Sequence, residues 1–325
     1  MQILSEQAQY LEEQLNVQLK VVAVNDMRFG SLYDPDGLPL QALLEAGQKG
    51  DLSTVPAAQY GWSVDEMLSK AEADTLVEVS YTDLRSGEPA LTYIRQALAA
   101  SKHVVTTNKG PIALCFPELK ALAAAHQVRI GYEGTVMSGT PTLALGSKLL
   151  AAARIRRIQG ILNGTTNFIL TRMEDGGSYA EALAEAQALG YAEADPTGDV
   201  EGFDAAGKVV ILSNILMGAD LTMADVEREG ITRLTPQDIQ SAEQRGERWK
   251  LIGTVEKLDG QVKASVRPTA LPSDHPLANV KGALNAVTYT TDLLGEVTLI
   301  GAGAGRVQTG YALLSDLLSI HGNVL

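Results

Sequence analysis

Residues 190–208, GYAEADPTGDVEGFDAAGK, hold the densest group of chemically useful side chains in the chain. Lys208 closes a run that also contains five carboxylates, those of Glu193, Asp195, Asp199, Glu201 and Asp204. Such a group suits an amino substrate, because acids bind its ammonium while the lysine reaches a carbonyl or alkoxide oxygen. The carboxylates would also suit a divalent cation, although the lysine would repel it. A solvated acidic loop is the third alternative.

The run divides into a loop and a helix. One proline and two glycines predict a loop over its first ten residues, and the remainder predicts a helix. Asp204 and Lys208 are four residues apart and share a helix face. That face continues as an apolar stripe, formed by Ile211, Leu212 and Ile215. We therefore expect the pair to be at least partly buried, where charged groups mark functional sites more often than at the surface.

Composition limits the classes of protein and partner. The 325 residues, 45% hydrophobic and 20% charged, suffice for two globular domains. The net charge of −13 argues against nucleic acid or an anionic membrane as a partner. Cys115 is the single cysteine, which excludes an intrachain disulfide or a cysteine zinc site and fits a reducing cytoplasm. A membrane span needs about 18 consecutive apolar residues, and no apolar run in the sequence approaches that length. The first residues do not resemble a signal peptide.

The elements that must position these side chains fall into two patterns. In residues 1–135, predicted strands alternate with predicted helices, which indicates a Rossmann-like α/β domain with a parallel sheet. The strands are expected at 19–25, 74–80, 103–107 and 128–133. The helices are expected at 1–15, 63–73, 89–101 and 117–127.

Residues 136–302 predict a second, α+β domain for substrate binding and dimerisation. After a strand at 154–162, helices are expected at 165–174, 178–189 and 202–218. Antiparallel strands then follow at 249–258, 262–271, 283–292 and 295–303. A last helix, 304–320, is expected to return to the first domain, which would comprise 1–135 and 303–325.

The first domain lacks the usual start of a dinucleotide fold. A strand and a G-x-G-x-x-G loop normally precede the helix that here occupies residues 1–15. We therefore expect either that the natural chain starts upstream of Met1 or that another segment fills the gap. GAGAG at 301–305 is a lone glycine run, which by itself indicates only a tight turn.

The motifs carry a family resemblance. GILNGTTNFIL (160–170) followed by GYAEADPTGDVEGFDAAGK closely resembles the signature of homoserine dehydrogenases. The likeness extends to VVAVNDMR, VEVSYTD, HVVTTNKGPIAL, YEGTVMSGTP and GAGAG, and fits a short form without a regulatory or aspartate kinase domain. It implies NAD(P)-dependent interconversion of L-aspartate 4-semialdehyde and L-homoserine, in threonine, methionine and isoleucine biosynthesis, by a homodimer. A non-catalytic remnant unable to hold dinucleotide is the alternative.

The resemblance also implies residue roles. Lys208 would be the general acid and base, and Lys109 a second catalytic lysine. Glu193 and Asp204 would bind the substrate ammonium. Other substrate contacts would come from Asp199, Tyr191, Gly164 and Thr165.

Cofactor and cation contacts are implied in the same way. The cofactor residues would be Asn25, Arg28, Ser80, Lys109, Gly303 and Gly305. Arg28 favours NADP(H), because an arginine there accepts a 2′-phosphate, while the neighbouring Asp26 leaves NAD(H) open. A monovalent cation, Na⁺ or K⁺, would be held by backbone oxygens of the YEGTVMSGTP loop, at Glu133, Val136, Ser138 and Thr140. An ordinary inter-domain connection is the alternative for that loop.

Overall fold

A computed structural model describes residues 1–322 and divides the chain into two compact units. The first unit contains Met1–Pro111, Cys115–Tyr132 and the chain from Leu313 onward. The second contains Ile112–Leu114 and Glu133–Ala312. Residues 303–312, which we assigned to the first domain, thus lie in the second unit. Residues 323–325 of that assignment lie outside the described part.

The first unit is α/β. Its helices are α1 (Gln2–Leu15), α2 (Leu40–Lys49), α3 (Val64–Lys70), α4 (Ala90–Ala99) and α5 (Lys109–Ala125). Its strands are β1 (Ala23–Asp26), β2 (Gly30–Tyr33), β3 (Gln59–Tyr60), β4 (Thr75–Glu78), β5 (His103–Thr106) and β6 (Ile130–Gly131). β4, β5 and β6 form the predicted parallel sheet, with Val104 and Val105 of β5 fully buried.

One predicted strand belongs elsewhere. We expected residues 19–25 in the parallel sheet, but β1 pairs with β2 in a separate antiparallel sheet that also contains β3. The cause is a tight turn, in which the carboxylate of Asp26 accepts hydrogen bonds from the amides of Arg28 and Phe29, at 2.8 and 3.0 Å. The turn sends the chain straight back into β2.

Helix α5 begins eight residues before its predicted start at Pro117. The Asn108 side chain caps its first turn by accepting from the amide of Gly110, at 3.1 Å. Pro117 lies inside the helix, which is tolerated because the backbone leaves the helical conformation at Cys115.

The second unit is α+β. Its helices are α6 (Thr142–Ala144), α7 (Gly164–Glu174), α8 (Tyr179–Ala188), α9 (Thr197–Val200), α10 (Phe203–Leu216) and α11 (Pro236–Gln244). Its strands are β7 (Ile155–Ile161), β8 (Val226–Arg228), β9 (Glu247–Leu258), β10 (Gln261–Pro272), β11 (Leu284–Thr291) and β12 (Gly295–Ala302). They form one sheet in the order β12-β11-β7-β9-β10-β8, antiparallel except for the pair of β10 with β8.

Helix α10 packs closely on this sheet. A Cβ atom at Gly253 of β9 would come within 2.7 Å of Val209 and 2.8 Å of Leu162, so glycine permits the close approach. Nine consecutive residues of the helix, 205–213, are buried. The sheet therefore fixes the height and rotation of the helix that carries Asp204 and Lys208.

The last helix, α12 (Arg306–Ile320), ends in the first unit. Leu314 and Leu318 pack there against Leu11 and Val17, which confirms the predicted return of this helix. Among residues 1–322, no helix has the length and apolar character needed to cross a membrane.

Candidate active site

An ion pair on α10 forms the centre of the candidate site. The Lys208 ammonium donates to the Asp204 carboxylate at 2.7 Å and to the carbonyl of Leu162, just after β7, at 2.6 Å. Lys208 is 7% exposed, which confirms the expected burial. An ammonium has three protons, and the third has no acceptor among residues 1–322. This buried lysine therefore has one proton available for a ligand oxygen.

A second carboxylate lies beside the pair. Asp199 on α9 is linked to Asp204 through Asn163, whose side-chain amide donates to Asp199 at 2.6 Å and to Asp204 at 3.0 Å. Burial raises the pKa of Asp199, and the charge of Asp204 raises it further, while a hydrogen bond from Asn163 and the charge of Lys208 oppose the rise. Two acids and one lysine thus form one partly buried cluster.

The start of α7 supplies further members of this cluster. Asn163 is its N-cap and accepts from the amide of Thr166 at 2.9 Å. A Cβ atom at Gly164 would come within 2.7 Å of the Ala283 carbonyl oxygen, so the helix approaches that backbone as closely as glycine allows. Thr165 donates to the carbonyl of Tyr191 at 2.6 Å and so fixes the loop before α9.

Two of the implied substrate residues make no side-chain hydrogen bond to this cluster within residues 1–322. Glu193 and Tyr191 are both exposed. Within residues 1–322 the Glu193 carboxylate makes no hydrogen bond, and only its backbone carbonyl accepts one, from Gln187. The Tyr191 ring lies 5.1 Å from that of Phe168. Hydrogen bonds therefore link Lys208, Asp204 and Asp199 through Asn163, and the Glu193 side chain takes no part in them within residues 1–322.

In the first unit, the carboxyl ends of β4 and β5 are joined by a buried hydrogen-bond network. Glu78 accepts from the Ser80 amide at 2.7 Å and from the Thr106 hydroxyl at 2.9 Å. Asn108 donates to the carbonyl of Tyr81 at 2.9 Å and caps the helix that starts at Lys109. This network holds Ser80 and Lys109 at one edge of the parallel sheet. The Ser80 hydroxyl is buried and has no partner among residues 1–322.

The other implied cofactor residues lie on three segments. Asn25 on β1 donates to the carbonyl of Trp62 at 3.2 Å, and Arg28 is exposed in the following turn. Gly303 and Gly305 lie in the second unit, between β12 and α12. A Cβ atom at Gly303 would come within 2.2 Å of Asn285, so this glycine run passes tightly over that side chain.

The loop implied to bind a cation has an unusual backbone. Met137 and Ser138 are consecutive non-glycine residues in the left-handed region, with φ of 57° and 53°. Glu133 accepts from the amides of Leu143 and Ala144, both at 2.7 Å, and burial raises its pKa. The Thr140 hydroxyl donates to the carbonyl of Ala302 at 3.0 Å. Residues 1–322 contain no group of three or more His, Cys, Asp or Glu side chains placed to hold a metal ion.

Sequence reasoning missed the residues that support these side chains. Asn163 was given no role of its own within GILNGTTNFIL, and Glu78 lay inside a predicted strand without a role. A signal for Glu78 and Thr106 was available. Glu78 is a polar residue in an apolar strand, and Thr106 places a hydroxyl at the end of the next strand. For the contact of Asn163 with the carboxylates there was no local signal, because the residues are 36 and 41 positions apart.

The family comparison points to one enzyme family. A family model described as homoserine dehydrogenase matches residues 141–318, which include every residue of the acid and lysine cluster. An NAD(+)-dependent homoserine dehydrogenase of Pseudomonas canavaninivorans is 48% identical over 322 residues, which cover 98% of this chain and 92% of that protein.

Solved structures agree with this match. The crystal structure of a homoserine dehydrogenase from Thiobacillus denitrificans has a TM-score of 0.83 and 34% identity, covering 98% of this chain and 69% of that one. A hyperthermophilic archaeal homoserine dehydrogenase mutant in complex with NADPH has a TM-score of 0.81 and 32% identity, covering 98% and 94%. The predicted fold class is confirmed by these likenesses.

Proposed function

The chain belongs to the homoserine dehydrogenase family, and from this premise we propose that Lys208, Asp204 and Asp199 form the substrate end of its active site. The chain is an NAD(P)-dependent oxidoreductase that interconverts L-aspartate 4-semialdehyde and L-homoserine. The observation that carries the residue assignment is the buried Lys208 ammonium, with one proton left for a ligand. The similarity supports this enzyme rather than the non-catalytic remnant.

Lys208 acts as the general acid and base. Reduction turns an aldehyde oxygen into a hydroxyl, and the bound nicotinamide supplies the hydride for this step. Lys208 donates the proton to that oxygen, and in the oxidation of homoserine it takes the hydroxyl proton back. Its charge also stabilises the alkoxide character that develops on the oxygen. The bonds to Asp204 and Leu162 hold the ammonium in place, so little reorganisation is needed during the reaction.

Asp199 and Asp204 receive the substrate ammonium. Both are partly buried beside one another, and together with Lys208 they carry a net charge of about −1 when all three are ionised. An ammonium placed there restores neutrality, which favours an amino-acid substrate over an uncharged aldehyde. Glu193, Tyr191, Gly164 and Thr165 are proposed as further contacts. For exposed Glu193 this implies that its side chain turns toward the substrate on binding.

The residues of the first unit fit a dinucleotide. The buried Ser80 hydroxyl, without a partner among residues 1–322, is available for a ligand at the carboxyl end of β4, where such sheets bind their ligands. Asn25, Arg28 and Lys109 of this unit, and Gly303 and Gly305 of the second, are proposed as further cofactor residues, with Lys109 also the second catalytic lysine. Arg28 favours NADP(H) as the preferred cofactor.

Four further assignments complete the proposal. The loop with Glu133, Val136, Ser138 and Thr140 holds a monovalent cation, supported by its two left-handed residues. The enzyme works as a homodimer. It acts in the pathway to threonine, methionine and isoleucine. It resides in the cytoplasm, which suits an enzyme of this pathway with a single free cysteine.

Oxidation of L-homoserine by the purified chain tests the proposal. NAD⁺ and NADP⁺ are supplied in turn, and formation of the reduced nicotinamide is followed by its absorbance. We expect turnover with both and a higher kcat/KM with NADP⁺. Absence of turnover with either cofactor would contradict the function, and a preference for NAD⁺ would overturn only the role of Arg28.

A further inference from the structure

Asn163 lies between the two carboxylates of the candidate site. It is 5% exposed, and the two N–H groups of its amide point to different acids, Asp199 at 2.6 Å and Asp204 at 3.0 Å. The orientation of the amide is fixed by its other end, because the Asn163 oxygen accepts from the amide of Thr166. If the amide were flipped, its oxygen would face the carboxylates of Asp199 and Asp204, and its NH₂ group would face the N–H of Thr166.

We infer that Asn163 is a positioning residue, which holds Asp199 and Asp204 together as an ionised pair and aims Asp204 at Lys208. This inference deepens the proposed function and rests on it for its catalytic meaning. The Asp204 oxygen that accepts from Asn163 is the same Oδ2 atom that accepts from Lys208. One oxygen held from two sides leaves the carboxylate little freedom to rotate away from the lysine.

Two neighbouring carboxylates would otherwise repel one another. In a partly buried site one of them then retains a proton, since desolvation and a like charge both disfavour ionisation. The groups that face Asp199 are Thr165 from α7 and Asp204 and Lys208 from α10. Asn163 is the neutral donor that reaches both acids, so it lowers the repulsion without adding a charge that would repel the substrate ammonium.

The cap and the bridge of Asn163 can be separated by substitution. Asn163→Ser retains an N-cap oxygen for α7 but removes both N–H donors. Asn163→Asp also retains a cap oxygen and nearly the same shape, and replaces the donors by a third carboxylate. Asn167→Ser is the matched control, because Asn167 is a buried asparagine of the same helix that donates to the carbonyls of Val280 and Leu284 and not to an acid.

Two measurements test the inference. The first is the pH dependence of unfolding. The bridge stabilises the native state only while the acids are ionised, so the deficit of Asn163→Ser relative to the wild type should shrink as the pH is lowered from 7.5 and the acids take up protons. The deficit of Asn167→Ser should stay constant. The second is the acidic limb of kcat/KM, which should move up by about one pH unit in Asn163→Ser, further in Asn163→Asp, and not in Asn167→Ser.

The outcomes separate this inference from the proposed function. Equal, pH-independent deficits for Asn163→Ser and Asn167→Ser would overturn the inference and leave only a structural role for Asn163. A wild type without turnover would refute the proposed function. The unfolding measurement would still show whether Asn163 holds Asp199 and Asp204 as an ionised pair. If Asn163→Ser does not fold, Asn163→Asp answers the same question, because the inference requires its deficit to shrink most as the pH falls.

Discussion

The charge of Asp199 destabilises the folded protein, although the proposed function needs that charge to bind the substrate ammonium. Its pKa is raised chiefly by burial, so at neutral pH the native state holds a carboxylate that would be better solvated in the unfolded chain. This penalty is present above the folded-state pKa and disappears as the pH falls through it, because the native state then takes up the proton first. Sites that bind charged substrates commonly retain such costs.

Asp199→Asn should therefore stabilise the protein and weaken its function. We expect a higher melting temperature at pH 7.5, and we expect this gain to shrink as the pH is lowered toward 5. KM for homoserine should rise about tenfold, the equivalent of one lost charge-assisted contact. Thermal unfolding at both pH values and steady-state kinetics measure the two effects. A gain independent of pH would contradict a penalty that depends on the charge of Asp199.

Ser80 gives a test of the cofactor end that does not depend on stability. Its buried hydroxyl has no partner among residues 1–322, so Ser80→Ala removes an unsatisfied group and should leave the melting temperature unchanged or raised. Cofactor affinity should fall about five- to tenfold, as for the loss of one neutral hydrogen bond. Ser69→Ala is the control, since the Ser69 hydroxyl donates to the carbonyl of Asp65 in its own helix. Equal cofactor affinities for both variants and the wild type would remove Ser80 from the cofactor site.

Some side chains of the candidate site could be predicted from the sequence and others could not. Asp204 and Lys208 followed from a four-residue spacing and an apolar stripe, which are local signals. The contribution of Leu162 was hidden, because a backbone carbonyl has no sequence signature. The sequence does not predict whether the Glu193 side chain lies near the acids, because the conformation of the loop backbone determines its direction.

At the scale of elements, the site depends on close approaches that only glycine allows. α7 begins against the backbone of Ala283, and α10 lies on β9 where Gly253 leaves room for Val209. These contacts set the distance between the two helices that carry Asn163 and Lys208. A change of about an ångström in either would separate the Asn163 amide from Asp204, the acid of α10 that it contacts.

Gly164→Ala should displace the start of α7. The new Cβ atom would lie 2.7 Å from a carbonyl oxygen, which cannot move as a flexible side chain can. We expect a loss of about 1–3 kcal/mol in the free energy of unfolding and a higher KM for homoserine. Gly47→Ala is the control: this helical glycine of α2 has nothing within 4 Å of the added atom, so the substitution should be neutral or stabilise by up to about 1 kcal/mol. Chemical denaturation compares the two, and equal stabilities would contradict the close packing.

Most elements were predictable because their signals are local. A helix was predicted at 63–73, and α3 begins there with a capping box in which Ser63 and Glu66 make both hydrogen bonds. The hairpin of β1 and β2 was missed, because Asp26 makes a turn by accepting two amides where the pattern predicted a strand end followed by loop. The early start of α5 was missed for a related reason, since Pro117 marks a first helical turn more often than a kinked interior.

At the level of the whole molecule, β12 is an edge strand of the sheet in the second unit. Ile300 on this strand is 51% exposed, and Leu293 in the preceding turn is 71% exposed. An apolar edge strand favours pairing with another chain, which supports the proposed homodimer. We expect the purified chain to sediment at about twice its 34.5 kDa mass.

Ile300→Lys should shift this equilibrium toward the monomer, because a charged side chain on an edge strand disfavours pairing. Val307→Lys is the matched control: Val307 is also exposed, but it lies on α12 rather than on β12. Sedimentation velocity over a range of concentrations compares the variants. A monomeric wild type would contradict the homodimer. Equal dimer dissociation constants for the two variants would show that the interface does not involve β12.

Lys208→Met removes the proposed proton donor of the reaction, so its activity decides whether Lys208 has that role. Methionine preserves much of the buried volume and removes the proton donor, while Asp204 keeps its hydrogen bond from Asn163. We predict that kcat for homoserine oxidation falls at least about a hundredfold while cofactor affinity stays close to that of the wild type. The melting temperature should fall, because Asp204 loses its buried partner. A folded Lys208→Met enzyme that binds cofactor and oxidises homoserine at the wild-type rate would contradict the account.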